Sequence, residues 1–346
     1  LPSGAGMSPT SPMSPTSAVQ MLAVGADEGE VRLDRWFKRH FPDLSHGRLE
    51  KMLRKGQVRV DGAKVKASHR LQPGQEVRVP PLDAPAPKKK RPRGEVSEQD
   101  AKELRQRILH QDASVLVLDK PAGLAVQGGS GTKRHIDGML DALQFDAKER
   151  PRLVHRLDRD TSGVLVLARH ARAATALTGA FRDRDTEKLY WAIVAGVPSE
   201  PRGQINLPLA KTPGPDGERV RVDRKLGKQA ITDFVIIEKI GDQAAWLALW
   251  PRTGRTHQLR AHCAAIGTPI LGDGKYGGID ANLPGMDLGK GLHLHARSIE
   301  LPHPDGGTLS VEAPIPAHFR TTLRTLGFNP EAAAERMAEL AAEEEW

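Results

Sequence analysis

The chain has 346 residues, with 51 lysines and arginines against 43 acidic residues and a formal net charge of +8. That length allows two or three domains with a sizeable core, and the cationic excess favours a polyanionic partner, of which nucleic acid is the commonest. A single cysteine, Cys263, excludes an intrachain disulfide and a cysteine-based zinc cluster, and no apolar run reaches the roughly 18 residues of a membrane span, so a cytoplasmic protein without a membrane partner is expected.

Residues 1–24 open rich in Ser, Pro and Thr and lack the apolar core of a secretory signal. They read as a disordered tail, with Met7, Met13 and Met21 as candidate starts. Residues 25–82 read as a compact unit. Leu33, Trp36 and Phe37 share one face of a first helix, with Arg32, Arg35 and Arg39 on the other side, and Pro42 ends it. Ser45 is a good N-cap for a second helix, in which Leu49, Met52 and Leu53 make the apolar stripe. Arg48, Lys51 and Lys55 make a basic one, and Gly56 stops the helix. A strand over 57–65 carries an Asp61-Gly62 turn, and a second turn and strand fall in 71–79. A basic stripe alone is usually a solvated helix face. Here the whole arrangement resembles the S4-type domain of ribosomal proteins and RNA-modifying enzymes, as in Leu49-Glu50-Lys51-Met52-Leu53-Arg54-Lys55-Gly56. That resemblance implies RNA contact through Arg35, Arg48, Lys51 and Lys55, mostly to phosphates and therefore salt-dependent.

Residues 83–100 form a Pro-, Lys- and Arg-rich linker, stiff and extended, and 101–328 a second domain. A helix is signalled over Ser97–His110. Val115 to Lys120 is a strand entering a turn. Gly128-Gly129-Ser130-Gly131-Thr132-Lys133 lacks the spacing of a nucleotide-triphosphate loop and is read as a loop lining a cleft. Over 153–167 two apolar runs flank His155-Arg156-Leu157-Asp158-Arg159-Asp160-Thr161-Ser162-Gly163. Strand-held loops are where catalytic groups are placed, which favours chemistry at Asp158. A solvated turn with local ion pairs accounts for the same residues equally well.

Glu187 to Gly196 is a strand containing Tyr190, one of two tyrosines. Residues 230–240 and 244–251 pair as a hairpin across Gly241-Asp242. The chain then enters Gly254-Arg255-Thr256-His257-Gln258-Leu259-Arg260, where Leu259, Cys263 and Ile266 give a helical apolar face. His257 and His262 have no third ligand at metal spacing and read as core or RNA-facing histidines. A turn-rich loop at 271–277 and a short strand at 291–296 follow. Strands with interspersed helices indicate an α+β fold with a mixed or antiparallel sheet. Asn329 caps, and Pro330 begins, an acidic C-terminal helix over 329–346.

In this order, His155-Arg156-Leu157-Asp158 with Thr161-Ser162-Gly163, Lys188-Leu189-Tyr190, Gly254 to Arg260, Gly272-Asp273 with Tyr276-Gly277, and Leu294-His295-Ala296 resemble the RluA family of pseudouridine synthases. With the S4-like unit the pattern is most like the C-type enzyme that modifies large-subunit ribosomal RNA. The resemblance implies an α+β synthase domain that isomerises uridines to pseudouridine in large-subunit ribosomal RNA or its precursor. It implies a monomer with no cofactor and no metal. Asp158 is implied as the catalytic carboxylate, whether nucleophile, electrostatic stabiliser or base; Arg255 as its charge partner; Tyr190 as the residue that stacks on the base or accepts its proton; and Arg156 as the residue that helps extrude the base. The alternatives are a non-catalytic RNA-binding or ribosome-assembly factor and an aspartate-dependent nucleoside hydrolase.

Overall fold

A computed structural model describes residues 18–42, 44–82, 96–129, 132, 134–212, 219–331, 333, 335 and 336. Most of the expected tail, the linker from 83 to 95, Ser130, Gly131 and Lys133 of the glycine-rich loop, and most of the C-terminal helix lie outside the described residues. The chain divides into two units, 1–93 and 94–346.

The first unit holds β1 (Gln20–Ala23), α1 (Leu33–His40), α2 (His46–Arg54), β2 (Arg59–Val60) and β3 (Glu76–Val79), with the sheet order β1-β3-β2. Leu33, Trp36 and Phe37 of α1 and Leu49, Met52 and Leu53 of α2 are buried together against Val58, Val60, Leu71 and Val77. Buried Glu28 joins this core because both its oxygens are occupied: Trp36 Nε1 donates to one at 2.9 Å and His40 Nε2 lies 2.6 Å from the other. Two expectations change. β1 falls inside the segment read as a tail; it is a short edge strand whose order comes from antiparallel pairing with β3, which local sequence does not announce. The strand expected over 57–65 is cut to two residues, because Asp61 and Gly62 both turn left-handed (φ 48° and 75°) and β2 pairs with β3 instead.

The second unit opens with α3 (Glu98–Arg105), whose N-cap Ser97 accepts from the Asp100 N–H at 3.1 Å. The helix ends sooner than expected, since Ile108–Gln111 is already an edge strand, β4. There follow β5 (Val115–Lys120), α4 (Ile136–Met139), β6 (Arg152–Leu153), β7 (Ser162–Ala168), α5 (Ala171–Asp183), β8 (Glu187–Ala195), β9 (Arg202–Asn206), β10 (Leu209–Thr212), β11 (Arg219–Val222), β12 (Ile231–Ile240), β13 (Ala244–Pro251), α6 (Gln258–Ala265), β14 (Leu294–Pro302), β15 (Thr308–Glu312) and α7 (Ala317–Leu326). The main sheet runs β4-β5-β7-β14-β8-β13-β12-β9, with β15 added on β14 and β6 on β7. It is mixed: β7 and β14 are parallel and the other pairs antiparallel. β12 and β13 form the hairpin expected across Gly241.

Both faces of the sheet are covered, so its central strands read as continuous apolar runs rather than alternating ones. Leu116, Leu118, Leu165 and Leu167 pack on one side of β5 and β7, and Val115, Val117, Val164 and Val166 on the other, against Ala173 and Leu177 of α5. Across β8 and β13, Ala192, Val194, Leu247 and Leu249 meet Leu259 and Cys263 of α6, while Trp191 and Trp246 meet Phe319 and Leu323 of α7. Half-buried Tyr190 touches both the cluster on β5 and β7 and the one under α6. It therefore marks the line where the two halves of that face meet. At the C-terminus Asn329 Oδ1 accepts from the Glu331 N–H at 3.0 Å, and Ala333 is buried against the α7 cluster.

Candidate active site

The charged loop between β6 and β7 is held from three sides. Leu153 pairs with Leu167, which sets where the loop leaves the sheet. His155 turns back onto β7, where its Nε2 accepts the Val166 N–H at 2.8 Å, and its ring stacks on Phe181 at 4.4 Å. Burial, with the Lys188 charge adding to it, pushes this imidazole down to about 3. His155 is therefore neutral with its proton on Nδ1, and it acts as a fixture of the loop.

From the other side comes Lys120, wholly buried at the end of β5. Its ammonium donates to the carbonyls of Pro121, Leu124 and Arg159 at 2.8, 2.9 and 2.9 Å. Burial lowers it to about 7, against the opposing charges of Asp160, Asp158 and Asp119. The loop closes with the Thr161 N–H donating to the Asp158 carbonyl at 3.2 Å. The third support is β14. Ser162 Oγ lies 2.9 Å from His295 Nδ1, and Gly163, at φ +107°, passes so near β14 that a Cβ would sit 2.1 Å from the Ala296 carbonyl oxygen. Only glycine allows that approach. Arg159 and Asp160 pair with each other at 3.0 Å on the exposed side, as a turn-forming role requires.

Asp158 is left half-buried in a cleft of about 860 Å³ that Arg156, Tyr190, Arg255, His257 and Arg260 also line. His257 Nε2 lies 3.8 Å from its Oδ1. His257 itself is left-handed at φ 50° where α6 begins, a conformation costly enough to mark functional positions. Burial lowers its pKa while the Asp158 charge opposes the shift. Burial also raises the Tyr190 hydroxyl pKa, and the Asp158 charge raises it further, so the phenol stays protonated.

The arginine partner differs from the expected one. Arg255 Nε donates to the Gln229 carbonyl at 3.1 Å, and no Arg255–Asp158 ion pair occurs among the described residues. The guanidinium whose field reaches Asp158 belongs to Arg260, buried on α6. It is clamped by Asp273, Nε and Nη2 each donating at 2.7 Å, and it lies 5.0 Å from the centre of the Tyr276 ring. Asp273 Oδ1 also accepts the N–H groups of Lys275 and Tyr276 at 3.1 and 3.0 Å. The Tyr276 hydroxyl is 2.7 Å from His257 Nδ1. From sequence, Arg260 has no assigned role and His257 reads as a core or RNA-facing histidine, whereas both line the cleft. Asp273, wholly buried in the structure, needs a cation, but its glycine-rich sequence context does not announce that burial.

Of the other candidates, Arg156 is exposed at the cleft wall. His262 is wholly buried, within hydrogen-bond reach of Thr232 Oγ1 and the Leu207 carbonyl at 2.9 and 3.1 Å, and is a core histidine. Burial pushes the Cys263 thiol up to about 12, which leaves it inert. In the first unit Arg35, Lys51 and Lys55 are exposed and Arg48 is half-buried. No helix among the described residues is long and apolar enough to cross a membrane.

Comparison with known proteins places these residues in context. The family described as RNA pseudouridylate synthase matches residues 114–265, and the S4 domain matches 31–77. The mitochondrial RNA pseudouridine synthase 4 of Arabidopsis thaliana is 36% identical over 382 aligned residues, covering 87% of this chain and 80% of its own. The ribosomal large subunit pseudouridine synthase C of Escherichia coli is 36% identical over 318, covering 90% of this chain and 98% of its own. Among solved structures, the human RNA pseudouridylate synthase domain containing 4 is similar at a TM-score of 0.55 and 31% identity, over 66% of this chain and 95% of that one.

Proposed function

The chain belongs to the RNA pseudouridine synthases, and from that premise we propose that it isomerises specific uridines of large-subunit ribosomal RNA, with Asp158 as the reacting carboxylate. The observation that carries the assignment is the setting of Asp158. It is the half-buried carboxylate of the cleft wall, on a loop tethered at His155, Lys120 and Gly163, within the field of a clamped arginine. A carboxylate so placed keeps one orientation, with a fixed positive charge close by.

Isomerisation breaks the bond from uracil N1 to ribose C1′, turns the base and rejoins it through C5. Asp158 can attack C1′ or take a proton from C2′; both need an ionised oxygen at the sugar and a base that is not lost to water. Arg260 takes the orienting part that the sequence pattern suggested for Arg255, because it is buried and fixed while Arg255 is not. Tyr190 stacks on the flipped base, a contact worth about 1–3 kcal/mol, and its raised pKa argues against a resident phenolate. Arg156, exposed beside the loop, assists extrusion of the base, which costs a few kcal/mol in paired RNA. The ribosomal substrate rests on the S4 unit and on relatives such as the Escherichia coli synthase at 36% identity. A lone buried thiol suits a reducing cytoplasm.

The test is to map pseudouridines in RNA from cells lacking the protein, with and without complementation. Sites in large-subunit ribosomal RNA should vanish and return with the wild type but not with Asp158→Asn. Sites lost from another RNA instead would reject the substrate while leaving the chemistry in place.

A further inference from the structure

The cleft wall that runs outward from Tyr190 carries polar groups for which the isomerisation has no use. Side chains alternate along a strand, so Thr186, Lys188 and Tyr190 share the side that lines the cleft, while Leu189 and Trp191 pack into the core behind. Thr186 is 8% exposed and its Oγ1 has no hydrogen-bond partner. Lys188 is half-buried, and its ammonium forms no hydrogen bond or ion pair among the described residues; burial lowers its pKa, and the nearby Arg184 charge adds to that. Asp185 and Glu187, the adjacent carboxylates, are exposed, Glu187 at the rim of the same cleft, and pair with neither cation. His155, also beside Lys188, is neutral.

A desolvated cation without a counter-ion and a buried hydroxyl without a partner are each costly. One kind of ligand relieves both: an anion with several acceptor oxygens. Resting on the function proposed above, we infer that Thr186, Lys188 and Arg184 form a subsite for a backbone phosphate of the RNA, next to the uridine held at Asp158. At about 3.3 Å per residue, Lys188 lies roughly 7 Å along the strand from Tyr190. A nucleotide whose base rests on Tyr190 thus brings its own backbone to Lys188. Lys188 and Thr186 donate to the two non-bridging oxygens, and Arg184, at the rim, adds charge. The contact fixes register and carries no sequence information.

The probe is full-length protein with large-subunit ribosomal RNA transcribed in vitro, its affinity measured across a range of KCl concentrations. Lys188→Met and Lys188→Gln should each flatten the slope of log affinity against log salt by roughly 0.7–0.9, the value of one phosphate contact. They should raise KM more than they lower kcat. Lys188→Arg should restore the slope, and Thr186→Val should weaken binding several-fold with the slope unchanged. An unaltered slope in either folded neutral variant overturns the subsite. Wild-type protein that leaves the transcript without pseudouridine counts against the proposed substrate instead, and the slopes still judge the subsite.

Discussion

Arg255 and Arg260 stand on one short segment, yet their surroundings give them different work. Arg260 is locked by Asp273 in the interior, whereas Arg255 reaches the Gln229 carbonyl at the surface. Arg260→Lys should therefore lower kcat about 10²-fold, as loss of a preorganised charge group does, and Arg260→Ala should also destabilise the fold by about 3–5 kcal/mol by leaving Asp273 unpaired. Arg255→Ala should keep kcat within a few-fold. Steady-state kinetics beside urea melts separate the cases, and equal kcat losses would reject the assignment. The histidines make a pH prediction. His155 is pushed down to about 3, and His293 and His295 to about 4, all by burial first. Between these values and the unfolded value of about 6.5, the unfolded chain binds protons that the folded chain refuses. Stability therefore rises with pH across that window and falls as pH drops from about 6.5 to 4. A melting temperature that held constant over that range would contradict the neutral, buried state assigned to all three.

At the level of elements, the loop that carries Asp158 depends on donors that lie outside it. Lys120→Met would orphan three carbonyls, at about 1–3 kcal/mol for each one left buried, and should lower kcat along with the denaturation midpoint. Gly163→Ala should cost several kcal/mol, because β7 and β14 would have to part; a denaturant titration measures both. These supports explain what the sequence could and could not disclose. Trp36 and the hairpin across Gly241 were legible because each rests on local periodicity or turn chemistry, whereas Tyr190 and Asp158 stood out only through the family resemblance, since local pattern reads equally well as a strand aromatic and a solvated turn. β1 was not, because its order is borrowed from β3. α5 was not anticipated either: its first cap is a histidine, His170, and its C-cap is Arg184 at φ 69° rather than a glycine. Arg260 was hidden for a related reason, since its partner Asp273 follows after the turn beyond α6.

Over the whole molecule, the proposed function assigns recognition to the first unit and chemistry to the second. Deleting residues up to Leu82 should leave the second unit folded, since its clusters are its own. It should weaken affinity for structured RNA and flatten its salt dependence. Filter binding at several salt concentrations checks this, and unchanged affinity would remove the first unit from RNA recognition.

The placement of β14 also bears on how the molecule is made. The strand lies between β7 and β8 in the middle of the sheet, although it is synthesised about a hundred residues after β8. Until it inserts, β7 and β8 present unpaired inner edges, which invite aggregation. The tethers of Ser162 and Gly163 are missing at that stage as well. Closure of the sheet is a late, long-range event of the slow kind that non-local topologies impose. A ribosome-bound chain that has not yet released residues 294–302 therefore has no finished cleft, and competence arrives all at once, when that strand is free to insert.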